Sequence, residues 1–303
     1  MKTDKLILFI QNINGIGDST IRKMILNNCF KDFEPKKLDD ILLFLKTHQK
    51  YFSKRFNAKQ LTLDSLKTAK GKFLEIDEKC KIMGINYISC LNSLYPKRLK
   101  TDYKQQDFPV MLFYKGNIEL LNNNKICAII GTRQPSDKAK KICYELTEKI
   151  SRNGYVIVSG LALGCDSIAH KACLDAEGRT IAIVGTGLDT IYPKSNEKLW
   201  DDIIANNGLI VSEYPTGFKG AAYSFVQRDR LQAALSNIVI PIQTSITGGT
   251  MHAAKDCVEK YNNELIVIAP SLVDDGNCTG NEYLIKKYFT KTISCLKDID
   301  NML

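Results

Sequence analysis

Two short turns in this 303-residue chain have the residue types of a phosphate-binding site. Gly131-Thr132-Arg133 follows an apolar run at 126–130, and Ser159-Gly160 follows a second apolar run at 155–158. Glycine allows a ligand to approach the backbone, threonine can donate a hydrogen bond, and arginine can bind a phosphate through two N–H groups. A surface ion pair is the alternative role for the arginine. We expect an anion-binding turn at 131–133.

Two other turns could supply further anion contacts. Gly160 and Gly164 stand between a predicted strand and a predicted helix, where Asp166 and His170 fit structural roles better than catalytic ones. Thr247-Gly248-Gly249-Thr250 precedes another predicted helix and resembles a nucleotide-phosphate loop. Its backbone donors suit an anion.

An aromatic residue among cations indicates a second kind of contact. Phe225 stands with Arg228 and Arg230 in a segment predicted to be a loop, and Lys219 and Lys194 lie in other loops. Bases of single-stranded nucleic acid stack on aromatic rings while their phosphates bind the charges. Alternatively, Phe225 is buried, Lys194 is an ordinary exposed lysine, and the arginines form internal ion pairs. We expect one arginine to be structural, and its possible partners are Asp189, Glu213 and Asp229.

Alternating strands and helices must position these turns. Short apolar strands between helices of 10–15 residues are typical of βαβ units and predict an α/β fold with a doubly wound, mainly parallel sheet. Right-handed crossovers then place the strand ends along one edge. Strands are predicted at 126–130, 155–158, 180–184, 208–212, 237–242 and 264–268, and helices up to about 152 and at about 166–176, 195–206, 229–236 and 249–260.

The N-terminal region differs from the rest in charge and in pattern. Residues 1–85 have a net charge of +7 out of +9 for the whole chain, and their apolar residues recur at helical spacing. We predict a small, basic, all-α domain at 1–85, SAM-like or helix-hairpin-helix-like, before a larger domain at 86–303. Its Gly15-Ile16-Gly17 turn is similar to one that contacts a DNA phosphate; a tight turn without a ligand and a lysine-rich solvated surface are the alternatives.

Several function classes lack their sequence signatures. No apolar run reaches the roughly 18–20 residues of a membrane span, and no signal peptide is evident. Ten scattered cysteines without a CxxC pair indicate reduced thiols in the cytoplasm rather than disulfides or zinc. The chain has no GxxxxGK[ST] motif, and Gly185-Thr-Gly187 lacks the third glycine of a dinucleotide fingerprint. We therefore expect a cytoplasmic protein without a metal or a cofactor.

A set of motifs in a fixed order resembles the DprA (Smf) family of DNA-processing proteins. The resemblance spans about 109–285, and the helical N-terminus is also similar to that of the family. The matching segments are Pro109–Asn117, Ile130–Arg133, Val158–Asp166 with Ala169-His170, Gly187–Asp189, Tyr192-Pro193 with Asn196, Gly208–Tyr214, Phe225 with Arg228–Arg230 and Leu235-Ser236, Gly249-Thr250 with Ala253-Ala254, and Gly280-Asn281 with Leu284-Ile285.

The resemblance implies an extended Rossmann-like domain that binds single-stranded DNA, forms a homodimer and loads the recombinase RecA during natural transformation, with no catalysed reaction. It implies a phosphate contact at Arg133 and base stacking at Phe225 beside Arg228. The chain departs from the family's pattern at Leu163, Asp229 and Gln243, where arginine, asparagine and glutamate are usual. We also expect it to lack the winged-helix domain that many members have after the position of Leu303.

A Rossmann-like nucleotide-binding enzyme or sensor is the alternative. Related phosphoribohydrolases use a Pro-Gly-Gly-x-Gly-Thr loop beside a glutamate, whereas this chain has Thr247–Thr250 and the amide Gln243. No general acid or nucleophile is evident there. A dehydrogenase ranks third, because the acidic ribose-binding residue is also missing.

Overall fold

The computed structural model describes residues 2–54, 56–101, 107–273 and 277–301, which fall into two compact units. The smaller unit comprises Met1–Tyr95 and Gln105–Phe113, and the larger unit comprises Pro96–Lys104 and Tyr114–Leu303. The division predicted from the sequence, between residues 85 and 86, falls inside the smaller unit. In the described ranges, no helix has both the length and the apolar composition needed to cross a membrane.

Helices make up most of the smaller unit, as the sequence predicts. Residues 6–10 of its first helix are buried, because the fourth helix and the first strand both pack on that helix. Asp77 joins these three elements by accepting hydrogen bonds from Lys5 at 3.0 Å and from Tyr87 at 2.5 Å. The elements are α1 (Thr3–Gln11), α2 (Asp18–Leu26), α3 (Leu38–Thr47), α4 (Leu63–Ile82) and β1 (Asn86–Ser89).

Alternating strands and helices make up the larger unit, which confirms the predicted α/β class. A strand at Met111–Gly116 (β2) runs into it from the smaller unit. The helices are α5 (Arg98–Thr101), α6 (Asp137–Arg152), α7 (Cys165–Asp175), α8 (Glu197–Ala205), α9 (Ala222–Leu235), α10 (Thr250–Glu259), α11 (Pro270–Val273) and α12 (Thr279–Tyr288). The remaining strands are β3 (Ile126–Ile130), β4 (Val156–Ser159), β5 (Thr180–Val184), β6 (Leu209–Ser212), β7 (Ile238–Pro241), β8 (Glu264–Ile268) and β9 (Lys291–Ile293).

The strands β3 to β9 pair in parallel, in the order β6-β5-β4-β3-β7-β8-β9. In the centre, Ala128 of β3 pairs with Val158 of β4 on one side and with Val239 of β7 on the other. β3, β4 and β7 are buried along their whole length, as expected for strands covered by helices on both faces. The chain reverses its direction of travel across the sheet between β3 and β7. The carboxyl edge at such a point is where doubly wound sheets usually bind ligands.

The start of α9 is the main correction to the predicted elements. The sequence predicts a loop at 224–230 and a helix from about 229, whereas α9 begins at Ala222. Gly220, with φ +90°, ends the preceding loop, and the Ser224 hydroxyl accepts a hydrogen bond from the Ala221 N–H at 3.0 Å. This local cap starts the helix seven residues early, so Phe225, Arg228 and Arg230 have helical rather than loop geometry.

Candidate nucleic-acid interface

A cavity of about 530 Å³ opens where β3 and β7 end, and α9 and α10 line its sides. We call it the β3–β7 cleft. It lies at the carboxyl edge where the sheet reverses direction, and its walls come from four separate loops and from three helices, α7, α9 and α10. Its lining residues are Ile130, Gly131, Thr132, Arg133, Ala162, Asp166, Tyr192, Ala222, Phe225, Val226, Arg228, Asp229, Gln232, Thr244, Ser245, Gly248, Gly249, Thr250 and Ala253.

Arg133 and Phe225, which are 92 residues apart in the chain, line this cleft together. Arg133 is exposed in the turn after β3. Phe225 is partly exposed on α9, with its ring centroid 5.3 Å from that of Tyr192. Both side chains also line a small adjoining cavity of about 50 Å³. An exposed guanidinium and an accessible aromatic ring therefore face one space.

The backbone around Arg133 is held in place by neighbouring strands and turns. The Thr132 N–H donates to the Gln243 carbonyl at 2.8 Å, and the Thr132 hydroxyl accepts from the Gln134 N–H at 3.2 Å. Gly164 has φ +79°, and a Cβ at this position would stand 2.5 Å from the Thr132 carbonyl oxygen. Only glycine fits there without moving the turn, so Gly164 fixes the turn rather than lining the cleft.

Arg228 lies in the cleft wall and is only 6% exposed. Its Nε is 3.2 Å from Oδ1 of Asp229, and its Nη1 is 3.7 Å from Oδ2 of Asp166. A Cβ at Gly160 would stand 1.2 Å from Nη1, so Gly160 provides the space that the guanidinium occupies. Two carboxylates thus surround one buried cation.

The electrostatics of this group follow from its burial. Burial raises the pKa of Asp166, although Arg228 and hydrogen bonds at Ala162, Ser159 and Gly160 act in the opposite direction. Burial also raises the pKa of Asp229 to about 6, while Arg228 lowers it and Asp166 raises it further. At neutral pH, the two carboxylates therefore largely compensate the positive charge of Arg228. Arg133 is the exposed cation that a ligand meets at the rim of the cleft.

Arg230 lies outside the cleft in a bidentate ion pair. Its Nη1 and Nη2 bind Oε1 and Oε2 of Glu213 at 2.5 and 2.6 Å, and Nη1 also donates to the Gln227 carbonyl at 2.7 Å. This is the structural role expected for one of the two arginines.

Three further candidates also lie away from the cleft lining. The Ser159 hydroxyl is buried and donates to the Ile129 carbonyl at 2.6 Å, which joins β4 to β3. Lys194 is exposed in a 3-10 turn and pairs with Glu197. Lys219 is exposed in the loop before α9. Lys194 follows Pro193, which lines the small adjoining cavity with Arg133 and Phe225, and Lys219 precedes Gly220, whose added Cβ would stand 3.2 Å from the Phe225 ring.

The glycine-rich turn after β7 does line the cleft through Gly248, Gly249 and Thr250, at the N-terminus of α10. The first N–H groups of a helix have no partner within the helix, and its dipole places partial positive charge there. Together with Arg133 across the cleft, this end of α10 gives the rim a positive character suited to phosphate.

His170 is an unsuitable base for any ligand in the cleft. Its side chain is fully buried, with Nδ1 2.7 Å from the Thr180 hydroxyl. Burial and the nearby Arg228 lower its pKa to about 3. This agrees with the structural role expected from the sequence.

The cleft lining also contains three polar residues that no sequence motif indicated: Gln232, Thr244 and Ser245. Thr244 and Ser245 follow β7, so strand ends alone could have indicated them. Gln232 stands four residues after Arg228, and helical spacing would have placed it on the same face of α9 if the helix had been predicted to begin at residue 222.

Comparisons with known proteins find several similar chains. A family model described as DNA recombination-mediator protein A matches residues 86–303. The DNA processing protein DprA of Bacillus subtilis is 37% identical over 191 residues, which cover 63% of each protein. The DprA of Streptococcus pneumoniae is 37% identical over 199 residues, covering 66% of this chain and 68% of the relative. The match to the Bacillus protein thus spans less than two thirds of its length.

Two solved structures are similar over most of their length. DNA processing protein A from Streptococcus pneumoniae has a TM-score of 0.81 at 28% identity, covering 98% of this chain and 96% of its own. DNA processing protein A from Helicobacter pylori has a TM-score of 0.63 at 35% identity, covering 72% and 95%. The latter structure is described as giving insight into a single-stranded DNA binding mode.

Proposed function

The chain belongs to the DNA recombination-mediator protein A family, and from this premise we propose that its β3–β7 cleft binds single-stranded DNA. The observation that carries the proposal is the meeting of Arg133 and Phe225 in one accessible cleft. The similarity to the Helicobacter pylori protein, whose description names single-stranded DNA, supports the same ligand.

Arg133 and the N-terminus of α10 bind phosphates at the rim, and the ring of Phe225 stacks against a base. Aromatic stacking of this kind tolerates any base, because every base has a π-face. Arg228 contributes little to phosphate binding, because Asp166 and Asp229 already surround it. The cleft therefore has a charged rim that binds phosphates and an aromatic wall that stacks against a base.

We propose further that the protein catalyses no reaction, and that it acts in the cytoplasm as a homodimer that delivers the bound strand to RecA during natural transformation. The side chain of His170 is inaccessible to a ligand, and the two buried carboxylates are engaged by Arg228. The family's description as a recombination mediator supports a role in handing DNA to a recombinase.

Fluorescence anisotropy with labelled oligo-dT tests the DNA-binding proposal. Arg133→Ala is expected to weaken binding by about tenfold or more, since hydrogen bonds to charged groups contribute about 1.5–3 kcal/mol. It should also reduce the slope of log K against log salt by about 0.7, the value for one phosphate on a single strand. Phe225→Ala should cost roughly 1–3 kcal/mol with no change in that slope. Phe225→Leu should retain part of the apolar contact and lose the stacking.

Arg179→Ala is the matched control, because Arg179 is exposed at the start of β5, at the opposite edge of the sheet. It should leave affinity and slope unchanged. Unchanged binding in both Arg133→Ala and Phe225→Ala would place the DNA elsewhere on the protein.

A further inference from the structure

A second group of aromatic side chains lies outside the lining of the β3–β7 cleft, around the first turn of α9. Tyr214 follows β6, Phe218 lies in the loop before α9, and Tyr223 is the second residue of α9. The rings of Tyr214 and Phe218 stack with their centroids 4.4 Å apart. The centroids of Phe218 and Tyr223 are 6.3 Å apart, at an interplanar angle of 58°. We call these three residues the aromatic triad.

The triad presents aromatic surface to solvent. Tyr223 is 55% exposed, and Tyr214 and Phe218 are partly exposed. Because Phe218 meets Tyr223 at an angle, it does not cover a face of the Tyr223 ring as a parallel neighbour would. An aromatic ring that stays this accessible can stack against a planar ligand.

The loop that carries Phe218 is held in place by the loop after β5. The Gly187 N–H donates to the Phe218 carbonyl at 2.7 Å. The Gly217 N–H donates to both carboxylate oxygens of Asp189, at 3.0 and 2.9 Å. These bonds fix the loop before a ligand binds, so that less entropy is lost on binding.

The triad continues a row of ligand positions along the carboxyl edge of the sheet. Arg133 lies in the turn after β3, and Phe225 lies over the end of β5, since a Cβ added at Gly185 would stand 2.9 Å from its ring. Tyr214 follows β6, which is the next strand after β5 in the sheet. Neighbouring strands lie about 4.8 Å apart. The triad is therefore next in line after Phe225, on the side away from Arg133.

Positive charge lies between the two aromatic sites. At about 3.6 residues per turn, Tyr223 and Phe225 point to different sides of α9, with the N-terminal end of the helix between them. Lys219 is exposed in the loop before that end. The next residue, Gly220, approaches Phe225, because an added Cβ would stand 3.2 Å from Cζ of the ring. A lysine and a helix N-terminus side by side suit a phosphate.

We propose that the aromatic triad is a second base-stacking site for the DNA strand in the β3–β7 cleft. Tyr223 stacks against one base, Phe225 stacks against another, and Lys219 binds a phosphate between them. The inference rests on the proposed function, and it extends the bound strand from the end of β3 past β5 to β6. A charged path with successive aromatic rings binds single strands of any sequence, because every base has a π-face.

Fluorescence anisotropy with the full chain, oligo-dT and an abasic strand of equal length tests this. Tyr223→Ala should weaken oligo-dT binding roughly 5- to 100-fold, the usual effect of one stacked base. It should leave the abasic strand almost unchanged, because the ring meets only a base. Tyr223→Phe keeps the ring and should bind like the wild type. Lys219→Ala should weaken both strands and reduce the slope of log K against log salt by about 0.7.

Tyr144→Ala is the matched control. Tyr144 is a partly exposed tyrosine on α6, and its hydroxyl donates to Asp175 of α7 at 2.8 Å, away from both aromatic sites. Its replacement should leave both affinities unchanged. The losses of Tyr223→Ala and Phe225→Ala should multiply in the double variant, because the two rings stack against different bases. Thermal unfolding of each variant shows whether the fold is kept.

The outcomes separate this inference from the DNA-binding proposal. Failure of every strand to bind the wild type would overturn both. Unchanged oligo-dT affinity in Tyr223→Ala would overturn the second stacking site and leave the cleft proposal intact. An equal loss for the abasic strand, or a loss that disappears in the Phe225→Ala background, would show that Tyr223 contacts no base of its own. A smaller fraction of dimer in light scattering, with unchanged oligo-dT affinity, would assign the triad to a second copy of the chain instead.

Discussion

Replacing Asp229 with asparagine is expected to stabilise the folded protein at neutral pH. The Asp229 side chain is only 16% exposed. Burial raises its pKa from an ordinary value of 3.8 to about 6, against the opposing effect of Arg228. Asp166 and Asp256 raise this pKa further and Arg133 lowers it. Asparagine has nearly the same shape, can still accept the hydrogen bond from Gln232, and has no charge to bury.

The size of the effect follows from the two pKa values. A folded-state pKa of about 6 against an unfolded-state value of 3.8 means that the ionised carboxylate costs about 3 kcal/mol near pH 7. The attraction to Arg228 is already contained in that value, so Asp229→Asn should gain about 1–3 kcal/mol. Because the pKa is raised in the folded state, the wild type gains stability as the pH falls from above 6 to below 3.8. The advantage of the variant should therefore fall to about half near pH 5 and vanish below about pH 3.8.

Urea unfolding followed by circular dichroism at several pH values measures this difference. Asp201→Asn, at an exposed position on α8, is the control and should change stability little at any pH. Oligo-dT affinity of Asp229→Asn should rise at neutral pH, because a negative charge near the phosphate path is removed. A loss of stability near pH 7 would refute the reasoning, since it would mean that the ion pair with Arg228 outweighs the cost of burial.

Two further substitutions test the support of the cleft and of the smaller unit. Gly164→Ala should shift the turn that carries Arg133 and weaken oligo-dT binding by about as much as Arg133→Ala, because its Cβ would stand 2.5 Å from a carbonyl oxygen. Gly154→Ala, at φ +82° with no atom within 4 Å of the added Cβ, has the same backbone strain without the clash and should leave binding unchanged. Asp77→Asn should lower the free energy of unfolding by about 2 kcal/mol near pH 7. Burial raises the pKa of Asp77, but hydrogen bonds from Tyr87 and two lysines together lower it to about 2. The wild type should lose that stabilisation as the pH falls from about 3.8 to about 2, and urea unfolding over that range measures the loss. Equal stability of the wild type and the variant near pH 7 would contradict this prediction.

The sequence predicted the part of the site that depends on strand ends. An apolar run followed by glycine is a local signal, and the parallel sheet brings such ends to one edge whatever the intervening helices contain. For this reason the amino-acid sequence alone is enough to place Arg133 and the turn at 248–250 in one cleft. Residue type and the family resemblance also place Phe225 at the binding site, although the prediction that it lies in a loop is wrong.

The part of the cleft wall around Arg228 could not be predicted in the same way. Its geometry depends on Arg228 occupying the space above Gly160, a contact between residues 68 positions apart that has no local signature. The early start of α9 depends on a cap at Ser224, which acts within one turn and is easily overlooked in a segment of mixed polarity. The DNA contacts at Lys194 and Lys219 stay predictions, because a cation in a loop has no pattern that distinguishes a ligand contact from an exposed side chain.

The positions of the two arginines explain why they contribute differently to binding in this cleft. Arg133 is exposed at the rim, so its charge is available to any phosphate that passes there. Arg228 is buried between two carboxylates, so its charge is compensated and its N–H groups face Asp166 and Asp229. A guanidinium in the first setting contributes salt-sensitive affinity for every sequence. In the second setting it stabilises the cleft wall through ion pairs whose strength salt changes little, because buried pairs are weakly screened.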